Sequence, residues 1–195
     1  MARQPRVWFP GAIYHITARG NRRASLFYDD EDRLRYLELL EEARFEFPFI
    51  LHAYCLMTNH IHLLLETTKT PPGPIMKKWH SLYAIEFNRR HHLVGHVFQG
   101  RYAAEIIATS DYLLEVSRYI HRNPLEANMV SKPENYRWSS YRSYISNQDN
   151  HHISTSKILS YFSEPEKEHY RRFVEEKTRS DADGRNSEEH WIERS

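Results

Sequence analysis

Phe49-Ile50-Leu51-His52-Ala53-Tyr54-Cys55-Leu56-Met57, a break at Thr58-Asn59, then His60-Ile61-His62-Leu63-Leu64-Leu65-Glu66-Thr67: the reading of this stretch decides the fold. Two runs of strand-forming residues separated by two polar ones read as an antiparallel hairpin. A parallel pair would need a crossover of about a dozen residues, which the gap cannot hold. Side chains at i and i+2 of a strand share a face, so His60 and His62 point one way and Ile61, Leu63 and Leu65 the other.

Working outward, Ala12–Arg19 alternates Ala12, Tyr14 and Ile16 against Ile13, His15 and Thr17, which predicts a strand broken by Gly20-Asn21. Asp29–Arg44 carries acids in its first turn and Leu34, Leu37, Leu40 and then Phe45 at helical spacing, with Pro48 as its stop. After the Pro71–Pro74 loop a helix is expected from about Ile75 to Arg90, striped by Trp79, Leu82, Tyr83 and Phe87. His96–Phe98 and Tyr102–Ala108 read as strand around Gly100. A further helix, capped by Thr109 or Ser110, runs to about His121 and ends at Pro124. The order β-α-β-β-α-β followed by a helix predicts an α/β (α+β), ferredoxin-like sandwich with an antiparallel sheet and a C-terminal helix. The expected organisation is one domain over 1–146 and a short helical extension over 147–178, with two helices, the second starting near Pro165. A polar, disordered tail is expected over 179–195.

At 195 residues, with 40% apolar and 27% charged, the chain reads as a globular domain able to bury its own core. Its longest apolar runs are too short to span a bilayer, and Arg3 and Arg6 precede no apolar segment of the signal-peptide kind. Cys55 is the single cysteine, so no internal disulfide is possible and a reducing, cytoplasmic compartment is expected. The net charge of +1 names no partner, but its distribution is uneven. Residues 1–23 hold five arginines and no acid, and 69–107 hold six Lys/Arg against Glu86 and Glu105. Cations interleaved with Trp79, Tyr83, Phe87, Phe98 and Tyr102 suit phosphate neutralisation and base stacking, and equally suit solvated faces over a core. The residues set out for DNA contact are Arg19, Arg22, Arg23, Lys77, Lys78, Arg89, Arg90 and Arg101.

Two neutral imidazoles on one strand face can chelate a divalent metal, although two histidines hydrogen-bonded on a sheet surface would give the same pattern. On the last predicted helix, at 100° per residue, Tyr112, Val116, Tyr119 and Asn123 share a stripe at the edge of the buried face. A phenol there can pack and still reach a cleft, and the Asn123 amide, one turn on, can complete a metal site begun by His60 and His62. Such a set suits phosphodiester cleavage: a tyrosine nucleophile with a countercharge for the phosphoryl oxygens.

Five blocks in this order resemble a known family: Pro10-Gly11-Ala12-Ile13-Tyr14-His15-Ile16-Thr17-Ala18-Arg19-Gly20-Asn21, Tyr54 through Leu65, Phe98-Gln99-Gly100-Arg101-Tyr102, Arg118-Tyr119-Ile120-His121-Arg122-Asn123-Pro124, and Tyr136-Arg137-Trp138-Ser139-Ser140-Tyr141. They are similar to the IS200-like Y1 transposases, in particular the REP-associated tyrosine transposases of bacteria, over about residues 5–145. The resemblance implies a bacterial, nucleoid-associated single-strand DNA endonuclease and strand transferase acting on hairpin-forming DNA. It implies His60, His62 and Asn123 as ligands of Mg²⁺ or Mn²⁺, and Tyr119 as the nucleophile forming a 5′-phosphotyrosine. Either a homodimer or a monomer is compatible with it. His15 lies in the family's first-strand motif, and a structural role is expected. Two departures stand out. Thr58 replaces a turn proline. Leu125-Glu126-Ala127-Asn128 stands where members carry Val-Arg-Ala-Gly, with Asn128 able to take the left-handed conformation of that glycine.

The competing reading is a domesticated protein that binds hairpin repeats without cleaving them. An RNA-binding module on the same fold lacks the usual aromatic signature, and no His-Glu-x-x-His supports a zinc peptidase.

Overall fold

A computed structural model describes residues 7–176; the tail expected over 179–195 lies outside the described residues. β1 (Ile13–Arg19), α1 (Asp30–Glu46), β2 (Phe49–Leu56), β3 (His60–Thr67), α2 (Pro72–Arg90) and β4 (Ala103–Ile106) follow in the expected order, with α3 (Ser110–Glu126) next. The strands form one antiparallel sheet in the order β2-β3-β1-β4, the ferredoxin-like mixed α/β arrangement. α1 starts as its sequence dictates: the Asp29 carboxylate accepts from the Asp32 N–H, and three acids sit in the first turn.

The sheet has two dissimilar faces. Phe49, Leu51, Ile61, Leu63 and Leu65 bury against α1 and α2, which pack on each other. The centre of that layer is Trp79, fully buried, stacked on Phe49 and donating its indole N–H to the Tyr36 carbonyl at 2.8 Å. The opposite face carries His15, His60, His62 and Leu64, and α3 crosses it over β2 and β3. Beyond β2, Trp138–Ser140 run along its free edge through a Leu56-to-Trp138 backbone hydrogen bond of 2.9 Å, which shields that edge from pairing elsewhere.

Three expectations are corrected. α2 begins at Pro72 rather than Ile75, because prolines in a first turn give up N–H groups that have no intrahelical partner. His96–Phe98 contributes a single bridge, Phe98 to Gly20, and no strand. Pro124 does not end the last helix; it sits inside α3, which continues to Glu126. Pro124 removes only the backbone donor that would reach the Ile120 carbonyl, and the chain after it keeps helical bonds, with the Ala127 N–H on Asn123 O at 2.9 Å. The end is then sealed by Asn128 at φ 55°, with its N–H on Leu125 O at 3.0 Å and the Met129 N–H on Pro124 O at 2.9 Å. This is a Schellman closure with asparagine in the place glycine usually takes.

α4 (Tyr141–Ile145) closes the 1–146 segment, and the extension supplies α5 (Ser156–Leu159) and α6 (Glu166–Glu175), with α6 packed on α3 and α4. Tyr170 and Val174 of α6 are fully buried. His121 of α3 bridges Tyr170 Oη at 2.7 Å and Ser140 Oγ at 2.8 Å, and Ser140 Oγ in turn accepts from the Tyr54 N–H at 2.9 Å. Arg122 donates to Val174 O at 2.9 Å, and Arg118 donates to Glu176 O while lying 5.3 Å above the Phe173 ring. α3 is thus braced from behind by a hydrogen-bonded polar layer. Among the described residues no helix is long and apolar enough to cross a membrane.

Candidate active site

β1 and β3 pair so that Arg19 faces His60 and Thr17 faces His62, and the strand alternation turns both imidazoles toward α3. α3 answers with Asn123, wholly buried between them. His60 Nε2 stands 3.4 Å from Asn123 Oδ1, and Asn123 Nδ2 stands 3.3 Å from His62 Nε2. One turn back on α3, the half-buried Tyr119 ring lies edge-on to His62, centroids 5.2 Å apart, and to His15 at 5.9 Å. The four residues singled out from spacing on β3 and α3 therefore converge within one chain.

Both imidazoles are held from behind. His60 Nδ1 meets Asn59 Oδ1 at 2.8 Å, and His62 Nδ1 meets His15 Nε2 at 3.1 Å in a buried, stacked ring pair. Asn59 is oriented by its own Nδ2 on Arg23 O at 3.3 Å. Partners on Nδ1 fix the tautomer and aim each Nε2 at Asn123. Burial pushes His15 down to about 3, pushes His60 down to about 4 with help from the Arg19 charge, and holds His62 well below the usual imidazole range. All three rings are neutral near pH 7, the form that binds metal.

The donor set fits a divalent ion. A neutral imidazole has one N–H, yet both His60 nitrogens face amide oxygens. With the Nδ1 proton committed to Asn59, the Nε2 lone pair opposes Asn123 Oδ1, and a cation between two such acceptors relieves the conflict. His60 Nε2 and Asn123 Oδ1, 3.4 Å apart, approach the spacing of neighbouring ligands on an ion with bonds of about 2.1 Å. A second group of ligand atoms, Glu41, His151 and His152, lies at the α1 surface away from this site. Arg44 is bound to both oxygens of that carboxylate.

The eight cations separate by environment. Arg90 is caged by Asp29, Glu31 and Asp32, a clasp from the end of α2 to the start of α1, and Lys78 pairs with Glu46 at 2.7 Å. Arg19 is half-buried beside His60. Arg22, Arg23, Lys77, Arg89 and Arg101 are exposed and, among the described residues, make no ion pair. Arg22 and Arg23 both have positive φ, 54° and 60°, a costly backbone for arginine that lifts two cations from the turn behind Asn59. Gly20 makes that turn possible: a Cβ there would sit 2.0 Å from the Ala24 carbonyl oxygen. Gly20→Ala is expected to cost about 2 kcal/mol in urea unfolding by displacing this backbone. An unchanged midpoint would show that the turn yields freely.

Asn59, His15 and Gly20 were not among the residues marked for the site. The adjacency of Asn59 to His60 and the place of His15 on the neighbouring strand were visible signals, but the β1–β3 register that brings His15 to His62 was not.

Comparison with curated proteins gives no match. Among solved structures, the chain resembles a REP-associated tyrosine transposase bound to a REP hairpin, at 15% identity and a TM-score of 0.64, covering 79% of this chain and 98% of that one. A chain from Deinococcus radiodurans, provisionally described as a transposase, aligns at 17% identity over 62% of this chain and 97% of its own, with a TM-score of 0.44. At such identities the first likeness is one of fold. The family model for IS200-like transposases matches residues 9–123, more than half of the 195 residues and inclusive of every residue of the converging set. The chain belongs to the IS200-like transposase family.

Proposed function

We propose that this transposase is a metal-dependent, single-strand DNA endonuclease and strand transferase that acts on hairpin-forming DNA through a phosphotyrosine. The observation that carries the reading is the approach of Tyr119 to the His60–His62–Asn123 cluster. A neighbour of the same fold is a REP-associated tyrosine transposase bound to a REP hairpin, which supports DNA of that kind as the partner.

Tyr119 attacks the scissile phosphorus: the phenolic O–P bond forms as the P–O3′ bond breaks. The phenol loses its proton, and the departing 3′ oxygen gains one. The phosphodiester is exchanged rather than hydrolysed, so a 3′ hydroxyl can later reverse the step and rejoin strands without ATP. His60 Nε2, His62 Nε2 and Asn123 Oδ1 would hold Mg²⁺ or Mn²⁺, which when bound would supply positive charge beside the phosphate. Arg19, opposite His60, adds a fixed cation at the same place. Arg22, Arg23, Lys77, Arg89 and Arg101 meet the flanking phosphates, whereas Arg90 serves the α1–α2 clasp.

The test is a labelled single-stranded hairpin incubated with the protein and Mn²⁺. A denaturation-resistant protein–DNA adduct is expected, and none in EDTA. Hairpin binding without an adduct under any divalent ion would favour the non-cleaving reading. His15→Phe tests the metal site itself. Removing the nitrogen behind His62 should weaken Mn²⁺ binding, followed by calorimetry, by about 10–100-fold. Unaltered affinity would remove His15 from the site's support.

A further inference from the structure

On the other side of the β1 end lies a cleft of about 470 Å³ between α2 and the 95–102 loop. Its wall is a ring pair, His80 stacked on Phe98 with centroids 4.1 Å apart and planes within 8°. Tyr36 Oη holds His80 Nε2 at 3.0 Å, so the imidazole is anchored from the core. Met76, Val97 and Tyr102 add apolar surface, and Lys77 and Arg101 stand exposed at the rim. Among the described residues that line it there is no carboxylate. The groove on the α1 side of α2 differs, because its lining mixes Glu31, Asp32, Glu38 and Glu86 with Arg35, Arg89 and Arg90.

The cleft is joined to the candidate active site by backbone. The Asn21 N–H bonds Val97 O and the Gln99 N–H bonds Arg19 O, both at 2.8 Å, while Gly20 bridges Phe98. Arg19 in turn faces His60 across β1–β3. A nucleic-acid strand leaving the metal ligands past Arg19 and around the end of β1 therefore meets the cleft next.

We propose that this cleft is a nucleotide subsite, taking one unpaired base of the single-stranded segment beside the scissile phosphate, with Lys77 and Arg101 on its phosphates. The inference rests on the DNA-handling function proposed above and adds where the unpaired strand is gripped. Anchored rings with an acid-free, cationic rim form the pairing that binds single strands with little regard to sequence. The volume falls within the range of sites that enclose small ligands.

The probe is fluorescein-labelled dT12, with affinity read by anisotropy. Lys77→Glu/Arg101→Glu should weaken binding at least about 10-fold. Ser81→Leu, on an exposed lining residue, leaves the charge unchanged and narrows the cleft; it should weaken binding at least about 3-fold with an unaltered melting temperature. A 4-thiothymidine in the same oligonucleotide should photocross-link to peptides containing residues 77–81 or 96–102. Full affinity in Ser81→Leu, or cross-links confined to other segments, overturns the subsite, as does failure of the folded protein to bind dT12. The adduct assay on the same preparations separates the two ideas. Adduct formation with an unaffected Ser81→Leu refutes the cleft alone, and cleft cross-links without an adduct refute the cleavage reading alone.

Discussion

Tyr119→Phe leaves a folded protein that still binds hairpin DNA and forms no covalent adduct, with the capture rate down by about 10³-fold or more. The substitution removes one oxygen and keeps the ring that packs edge-on against His62 and His15, so the melting temperature should stay within about 2 °C. Hairpin affinity, set by exposed cations elsewhere, should change less than about twofold. Because Tyr119 and His62 of one chain already stand together, a mixture of Tyr119→Phe and His62→Ala proteins should not recover activity. Persistent adducts in Tyr119→Phe would name a different nucleophile, and recovery in the mixture would show that neighbouring subunits exchange the helix.

The second large effect is acid instability centred on His121. The ring is fully buried between Tyr170 and Ser140, and loss of solvent pushes it from 6.5 down to about 3. Between these values the unfolded chain takes up a proton that the native chain refuses. The stabilisation is therefore complete above pH 6.5 and is lost progressively as pH falls toward 3, by about 1.4 kcal/mol per pH unit. From pH 6.5 to about 4.5 that is near 3 kcal/mol, a large share of a typical domain's 5–15. His15 and His80, also driven to about 3 by burial, and His60 and His62, held low chiefly by burial, steepen the loss in the same direction. Urea unfolding across this range reads the slope directly, and His121→Gln should reduce it by about 1.4 kcal/mol per pH unit. A slope unchanged in His121→Gln would mean that the ring is solvated in solution.

Much of this architecture is legible in periodicity. The alternation around His60–Leu65 is local, and so is the stripe that sets Tyr119 and Asn123 a turn apart; local geometry therefore announces which residues share a face. Pro124 misleads because a proline disturbs the turn before it, through the lost bond to the Ile120 carbonyl, and need not end the helix, which here runs two residues further to the Asn128 closure. Arg90 reads as one more surface cation until the fold places the acids at the start of α1 around it. The supports behind the two imidazoles are divided in the same way: Asn59 is the neighbour of His60 in sequence, whereas His15 reaches His62 across forty-seven positions of chain.

The grip of Arg118 and Arg122 on the last carbonyls of α6 bears on where this protein can be shortened. The family pattern ends at Asn123, and an expression fragment cut at residue 146 would look sufficient on that basis. It would remove the carbonyls that hold both guanidinium groups, expose the α6-facing side of α3 to water and strip the phenol of Tyr170 from His121. The smallest fragment that keeps the tyrosine helix seated runs to Glu176.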